Sequence, residues 1–207
     1  MSVLAINAGA YYQIESLEGA RYAHLFDQIA RPEELETLDL TAFSVVLIPC
    51  RTPAHRMIPH AQKLRHYLEQ GGTVVATGES DSHLWLPIPG FTAQPTNFWW
   101  WLTPGADLGV RVVRPDHPLF TYLTERDCTY HLHGWFDAPA GADVLVVNED
   151  GKPILYIDEV TTKGRMILTT LDPFYHHGSH FMPATTRFLD GFLPWIRDHY
   201  TDHGRKG

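Results

Sequence analysis

The chain has 207 residues, of which 44% are hydrophobic and 19% are charged, and its formal net charge at pH 7 is -8. This composition is typical of a folded globular protein and argues against an intrinsically disordered chain. Basic residues cluster only in the closing "HGRKG". No nucleic-acid partner is therefore expected, since nucleic-acid-binding proteins usually present a basic stripe.

The N-terminal "MSVLAINAGAYY" has no basic region and only a short apolar run, so no secretory signal peptide is expected. No stretch reaches the ~20 apolar residues of a membrane span. Two cysteines, Cys50 and Cys128, are too few for a disulfide framework, although a single bridge between them stays open. We expect a cytoplasmic protein with no membrane partner, folded as one domain over residues 1–207.

The first 80 residues alternate between strand and helix patterns. Short apolar runs predict three buried parallel strands, at 3–7, 44–50 and 73–78. Apolar spacing predicts amphipathic helices at 19–30 and 57–70, and Gly71 and Gly72 favour the end of the second helix. Strands and helices in this order imply right-handed crossovers and a parallel sheet.

The second half is less regular at first. Residues 85–107 contain four prolines and the block "FWWW", which predicts an irregular excursion. A short strand at 109–115 and a hairpin at 142–160, turning at Asp150-Gly151, come next. An apolar run predicts a further strand at 165–171.

The chain is predicted to close with a helix that begins near Pro183, a residue favoured in the first turn. Its apolar face continues past Pro194. Proline removes a helical hydrogen bond and clashes with the preceding turn, so we expect Pro194 to kink this helix or end it early.

Three segments carry a family resemblance. They are "SVVLIPCRTPAH…LRHYLEQGGTVVATGES" (44–80), "DHPLFTYL" (116–123), and "GKPILYIDEVTTKGRMILTTLDPFYHH" (151–177) with the following "TRFLDGFLPWI" (186–196). In this order they resemble the ThuA-like (trehalose utilisation) family of the class I glutamine-amidotransferase-like superfamily. The resemblance implies an α/β fold: a flavodoxin-like, mostly parallel sheet flanked by helices, with an antiparallel hairpin extension. It also implies a site at the carboxyl ends of the strands.

Polar residues follow each predicted parallel strand, at the edge where ligands bind in open parallel sheets. Asn7 and Tyr11 follow the first strand, Arg51 the second, and Glu79 and Ser80 the third. The strand at 165–171 is followed by five more, namely Asp172, Tyr175, His176, His177 and His180. We expect these side chains to gather around one crevice.

A further histidine pair lies in "CTYHLHGWF" (128–136). If this segment is extended, His131 and His133 face the same way, because side chains alternate along a strand. The pair could combine with one or two of His176, His177 and His180, and with Asp172, into a zinc, nickel or iron site. The metal-ligand candidates are thus His131, His133, His177 and His180. Without a metal, the same imidazoles could act as acids and bases.

We expect a protein that processes a carbohydrate or another small polar ligand, with proton transfer or isomerisation of a keto-sugar as the most concrete reaction. The catalytic candidates are His176, His177, Glu79 and Asp172. The ligand-binding candidates are Asn7, Tyr11, Arg51, Ser80, His131, His133, Tyr175 and His180. The alternative is a non-catalytic ligand-binding or assembly domain on the same fold.

Two other activities fit the sequence less well. Glutaminase activity is not expected, because the turn "TGESDS" (77–82) has no cysteine nucleophile and the chain contains no His-x-Glu pair. "GESDS" is close to a nucleophile elbow, so Ser80 with Asp172 and a downstream histidine is a weaker hydrolase alternative.

The aromatic block 98–101 predicts self-association. Three consecutive tryptophans cannot all point into one core, so at least one ring should meet solvent. An exposed apolar surface as large as a tryptophan ring is usually buried against a partner, and the commonest partner is a second copy of the chain in a symmetric dimer. We therefore expect a homo-oligomer with this block at or near the contact.

Overall fold

The computed structural model describes residues 2–96 and 98–201; Asn97 and the basic C-terminal residues lie outside the described part. The strands are β1 (Val3–Ile6), β2 (Gln28–Ala30), β3 (Val45–Ile48), β4 (Thr73–Thr77), β5 (Phe91–Ala93), β6 (Arg111–Val112), β7 (Gly134–Phe136), β8 (Asp143–Val147), β9 (Pro153–Asp158) and β10 (Arg165–Thr169). The helices are α1 (Tyr11–Glu18), α2 (Ala54–Met57), α3 (Ala61–Glu69), α4 (Glu125–Cys128), α5 (Pro173–Gly178) and α6 (Pro183–Tyr200).

Eight strands form one sheet in the order β2-β1-β3-β4-β10-β9-β8-β6. The first five run parallel, and β9, β8 and β6 continue the sheet in antiparallel pairing. The parallel part has the 2-1-3-4-5 order of a flavodoxin-like sheet. The predicted fold class, a mostly parallel α/β sheet with an antiparallel hairpin extension, is confirmed. A separate two-stranded sheet pairs β5 with β7.

Alternating side chains of the parallel strands form two cores, one on each face of the sheet. On one face, residues such as Ala5, Leu47 and Ile167 pack with Phe188 of α6. On the other face, Val46 and its neighbours pack with Leu64 and Leu68 of α3 and related side chains. Both faces of the strands are buried, which explains their continuous apolar sequences.

The predicted helix over 19–30 is wrong. The helix lies earlier, at α1, and the predicted range contains a short 3-10 turn followed by the edge strand β2. Its apolar residues therefore belong to separate elements that merely share a helical spacing. The helix predicted over 57–70 is broken into α2, a 3-10 turn containing Pro59, and α3.

The last helix does not end early at Pro194. It runs to Tyr200, six residues beyond the proline. Trp195 and Ile196, directly after it, are buried in the core. Their packing stabilises the helix where the proline removes a hydrogen bond, so tertiary contacts override the local preference. Across residues 2–96 and 98–201, none of the helices has the length and apolar character that crossing a membrane requires.

Candidate functional site

The candidate site forms at the carboxyl ends of the central parallel strands. Arg51 follows β3, Glu79 follows β4, and Asp172 follows β10. α5 begins directly after Asp172 and carries His176 one helical turn further on. Parallel strands end at the same edge, so three sequence-distant loops deliver their polar side chains to one place.

Four buried side chains converge there, and we call His131, His133, Asp172 and His176 the His–Asp cluster. One candidate ligand atom from each lies within 4.8 Å of all the others. Nε2 of His176 lies 2.5 Å from Nε2 of His131. Nε2 of His133 lies 3.1 Å from Asp172 Oδ2, and Nε2 of His176 lies 3.2 Å from Asp172 Oδ1. Three imidazole nitrogens therefore point toward one carboxylate.

Two pKa values in the cluster are shifted. Burial lowers the pKa of His131 to about 4, although the Asp172 carboxylate opposes the shift. Burial alone would raise the pKa of Asp172, but hydrogen bonds from His133 and His176 outweigh it and hold that pKa at about 2. At neutral pH the His131 imidazole is therefore uncharged and the Asp172 carboxylate is ionised. Metal coordination requires these two protonation states.

Because of these two pKa shifts, we expect the metal-free protein, kept in that state with a chelator, to become less stable as the pH falls. Both pKa values lie below their ordinary values of 6.5 and 3.8, so the unfolded chain binds more protons than the native one. Unfolding free energy should fall as pH drops from 6.5 toward 4, on the order of 3 kcal/mol from His131. The unfolding free energy should fall further as Asp172 becomes protonated, between pH 3.8 and about pH 2.

Urea denaturation at a series of pH values would measure this slope. His131→Asn should flatten the slope between pH 6.5 and 4, whereas the exposed control His24→Asn should leave it unchanged. A wild-type slope equal to that of His131→Asn would contradict the shift at His131.

A second layer of polar groups orients the cluster. Glu79 Oε1 lies 3.1 Å from Nδ1 of His133, and Thr96 Oγ1 lies 3.2 Å from the same nitrogen. Arg51 Nη2 lies 3.2 Å from Glu79 Oε2 and 3.7 Å from Asp172 Oδ2. A carboxylate beside Nδ1 favours a proton there, so Nε2 of His133 could bind a metal in place of its contact with Asp172.

Arg51 is held from two further directions. Its guanidinium carbon lies 3.7 Å from the ring centre of Tyr175, a cation–π contact. Its backbone N–H donates to the Glu79 carbonyl over 2.9 Å, and the residue takes a left-handed conformation with φ of 60°. The loops after β3 and β4 are thereby joined.

Two exposed phenyl rings border the cluster. The ring of Phe98 lies 4.7 Å from that of His131, and the ring of Phe181 lies 4.6 Å from that of His176. Phe98 is 45% exposed and Phe181 57% exposed, although each contacts a buried histidine. They place exposed aromatic surface directly beside the cluster.

Several predicted site residues lie elsewhere. His177 turns its Nδ1 to Thr186 over 2.8 Å, and His180 is exposed near Glu15. Neither belongs to the His–Asp cluster, so these two metal-ligand candidates are not brought to it. Adjacent positions on α5 differ by about 100° in direction, which separates His176 from His177.

Asn7 and Tyr11 are also placed apart from the cluster. The Asn7 amide donates to Glu18 over 2.5 Å, and the Tyr11 hydroxyl donates to Ser179 over 3.1 Å. Tyr175 contacts the cluster through the His176 ring, 4.9 Å away.

Ser80 and Cys50 lack the contacts of nucleophiles. Within the described residues, the buried Ser80 hydroxyl has no hydrogen-bond partner, so the contact to a histidine that a hydrolase needs is not formed. Cys50 is buried beneath the site and is not bridged to Cys128. Burial, together with Asp172, raises the pKa of the Cys50 thiol, which makes it a poor nucleophile.

Thr96, Phe98 and Phe181 were not predicted as site residues. Phe98 belongs to the aromatic block predicted to lie at a subunit contact, and Thr96 lies in the excursion predicted to be irregular. No periodicity marks these positions, because they belong to loops that only the folded chain brings to the cluster.

The aromatic block agrees with the expectation that some rings meet solvent. Trp99 is 66% exposed and Trp101 is 57% exposed.

We expect the wild type to be dimeric at micromolar concentration. Trp101→Ala should weaken the dimer at least about tenfold, because burying ~100 Å² of apolar surface contributes ~2–3 kcal/mol. Light scattering would measure this, with the exposed Ile58→Ala as control. A monomeric wild type would instead favour a lid or ligand-stacking role for the block.

No protein-family model and no curated protein matches the sequence. Solved structures share the fold at low identity. A cytoplasmic protein, STM1381, from Salmonella typhimurium LT2 matches with TM-score 0.56 and 12% identity over 95% of this chain and 99% of its own. A putative ThuA-like protein from Bacteroides uniformis matches with TM-score 0.50 and 13% identity, over 92% of this chain and 88% of its own.

A larger enzyme also contains this fold. The exo-beta-1,4-mannosidase Op5Man5 from Opitutaceae bacterium strain TAV5 matches with TM-score 0.54 and 12% identity over 98% of this chain. This chain spans 36% of the mannosidase chain. At these identities the likenesses show the fold alone.

Proposed function

We propose that this protein is a ThuA-like, cytoplasmic metalloprotein that binds a divalent transition metal through the His–Asp cluster and acts there on a small polar ligand, with a carbohydrate as the favoured class. The observation that carries the proposal is the convergence of three buried imidazole nitrogens and one buried carboxylate within 4.8 Å. Nδ1 of His131 and of His176 has no hydrogen-bond partner among the described residues. Among the described residues, the polar contacts that orient these two rings are therefore those of Nε2 inside the cluster, the atoms that would bind the metal.

The donor set selects the metal class. Imidazole suits zinc, iron and nickel, whereas calcium and magnesium prefer oxygen ligands. Catalytic zinc usually keeps three protein ligands and one open position. Four protein donors would close a tetrahedral zinc site but leave open positions on a six-coordinate iron or nickel ion. We therefore favour iron or nickel for a catalytic role and zinc for a structural one.

The cluster needs a small adjustment to hold an ion. Metal–nitrogen distances of ~2.0–2.1 Å place neighbouring ligand atoms ~3.3 Å apart in a tetrahedral site and ~2.9 Å apart in an octahedral one. The His133–Asp172 and His176–Asp172 contacts, 3.1 and 3.2 Å, lie between these two spacings. His131 and His176, 2.5 Å apart, would separate by several tenths of an ångström.

Glu79 is the proposed proton-transferring group. Its side chain is 44% exposed to solvent and contacts His133. A metal at the cluster would polarise a ligand carbonyl, and Glu79 would take the proton from the neighbouring hydroxyl-bearing carbon. Phe98 and Phe181 offer rings on which a sugar face can stack. The name of the mannosidase with this fold supports the carbohydrate class.

Deuterium exchange would test this reaction. Chelator-treated protein, reloaded separately with zinc, nickel or iron(II), is incubated with keto- and aldo-sugars in D₂O, and exchange beside the carbonyl is followed by NMR. Exchange should require metal and fall at least about a hundredfold in Glu79→Gln. The control Glu159→Gln alters a carboxylate beyond the far end of β9 and should retain the wild-type rate. Metal analysis accompanies each variant.

A second candidate is a non-catalytic binding or assembly domain. It is favoured by the match to 36% of the mannosidase chain, which shows this fold as one part of a larger enzyme. Metal-loaded protein that binds sugars without any exchange would support this candidate. Protein that takes up no metal would overturn the metal centre itself.

A further inference from the structure

A polar cavity that is open to solvent lies over the carboxyl ends of β1 and β2. It has a volume of about 340 Å³ and is lined by Asn7, Glu18, Ile29, Ala30, Arg31 and Glu34. Pockets for small organic ligands begin at roughly 300 Å³. None of the lining residues belongs to the His–Asp cluster. Glu18, Arg31 and Glu34 are exposed, so a ligand could reach them from solvent.

The polar groups of this cavity are held in place. Asn7 is buried, donates from its side chain to Glu18 over 2.5 Å, and accepts from the Gly9 N–H over 2.8 Å. Arg31 donates to the Asn7 carbonyl over 3.2 Å. Gly9 has φ of +93°, and a Cβ there would lie 2.9 Å from the Arg31 guanidinium. A glycine at this position therefore allows the loop and Arg31 to approach.

The cavity has unused hydrogen-bonding capacity and an excess negative charge. Glu18 accepts from Asn7 with one oxygen, and Glu34 accepts from the Arg31 backbone N–H with one oxygen. Among the described residues, no hydrogen bond engages the other oxygen of either carboxylate. Two carboxylates and one guanidinium leave one negative charge, in a protein whose net charge is -8.

We propose that this cavity is a binding site for a small hydroxylated organic ammonium ion, of the amino-polyol class. The ammonium group donates to Glu18 and Glu34 and neutralises the excess charge. Hydroxyl groups both donate and accept, so they also satisfy the remaining N–H donors of Arg31. Ile29 and Ala30 contact the carbon chain of the ligand. The site is independent of the proposed metal centre.

Three polyols with one carbon skeleton test the charge requirement. The full chain is titrated at neutral pH with glucamine, sorbitol and gluconate, which carry an ammonium group, no charge and a carboxylate. Isothermal titration calorimetry should show glucamine binding about tenfold more tightly than sorbitol, with gluconate weakest. Equal binding of all three, or none, would overturn the proposal.

Variants locate the site. Glu18→Gln and Glu34→Gln should each remove most of the preference for glucamine, whereas Glu36→Gln, exposed on the same segment and outside the cavity, should retain it. If loss of its contact to Arg31 prevents Glu34→Gln from folding, Glu18→Gln decides alone. Undiminished glucamine binding in Glu18→Gln would place the ligand elsewhere. His176→Ala should bind glucamine like the wild type, which separates this test from that of the metal centre.

Discussion

Replacing His176 with alanine is expected to lower the affinity for a divalent transition metal by more than about a hundredfold. Loss of an outer-shell partner alone typically costs 10–100-fold in metal affinity, and this substitution removes one of four converging ligand atoms. Competition titration of chelator-treated protein with zinc, nickel or iron(II) against a chromophoric chelator would measure the change.

His177→Ala is the matched control. His177 is the next residue on the same helix, but its Nδ1 contacts Thr186 and it lies outside the cluster. We expect its metal affinity to stay within about twofold of the wild type, because no ligand atom is lost. Equal losses in the two variants would show that metal binding responds to damage of α5 rather than to ligand removal. Undiminished affinity in His176→Ala would exclude this residue as a ligand.

Replacing Gly78 with alanine is expected to destabilise the protein by about 2–5 kcal/mol and to weaken metal binding. Gly78 follows β4 with φ of +56°, and a Cβ there would lie 2.5 Å from Cβ of Cys50 and 2.7 Å from Cβ of Asp172. Overpacking costs ~1–3 kcal/mol, and a left-handed non-glycine residue adds ~1–2 kcal/mol. Relief of the clash must displace Asp172, which holds the cluster together.

Gly151→Ala separates strain from crowding. Gly151 also has a left-handed conformation, with φ of +72°, but a Cβ there would have no neighbour within 4 Å. Urea denaturation should therefore show a loss of ~1–2 kcal/mol for Gly151→Ala, from strain alone, with unchanged metal affinity. Similar losses for the two variants would mean that the packing beneath the site tolerates an added methyl group.

The parallel strands β1, β3 and β4 could be predicted because burial on both faces gives continuous apolar runs, whereas the parallel edge strand β2 lies inside a range predicted as a helix. The runs at 3–7, 44–50 and 73–78 correspond to β1, β3 and β4. α1 could not be found in this way. Two of its three buried residues are polar: Gln13 donates to the Cys50 carbonyl, and Ser16 donates to the Phe174 carbonyl. A helix anchored by polar contacts to distant loops carries no apolar stripe that a sequence pattern could reveal.

The edge of the candidate site followed from the sequence, because residues after parallel strands must meet at one end of the sheet. Arg51, Glu79 and Asp172 were placed there by this rule alone. The His-x-His spacing also indicated that His131 and His133 could face the same way. In the structure, Nε2 of each lies near the Asp172 carboxylate.

Membership of the cluster was decided by the tertiary structure. His176 and His177 are adjacent in a histidine-rich stretch, and the sequence does not distinguish them. The direction in which α5 leaves Asp172 turns His176 inward and His177 toward Thr186. Asn7 likewise follows a central strand, but its contact with Glu18 places it in a separate cavity. The sequence determined the strand ends at which polar groups collect; helix rotation and loop packing determined which of them touch, because those depend on contacts between residues far apart in the chain.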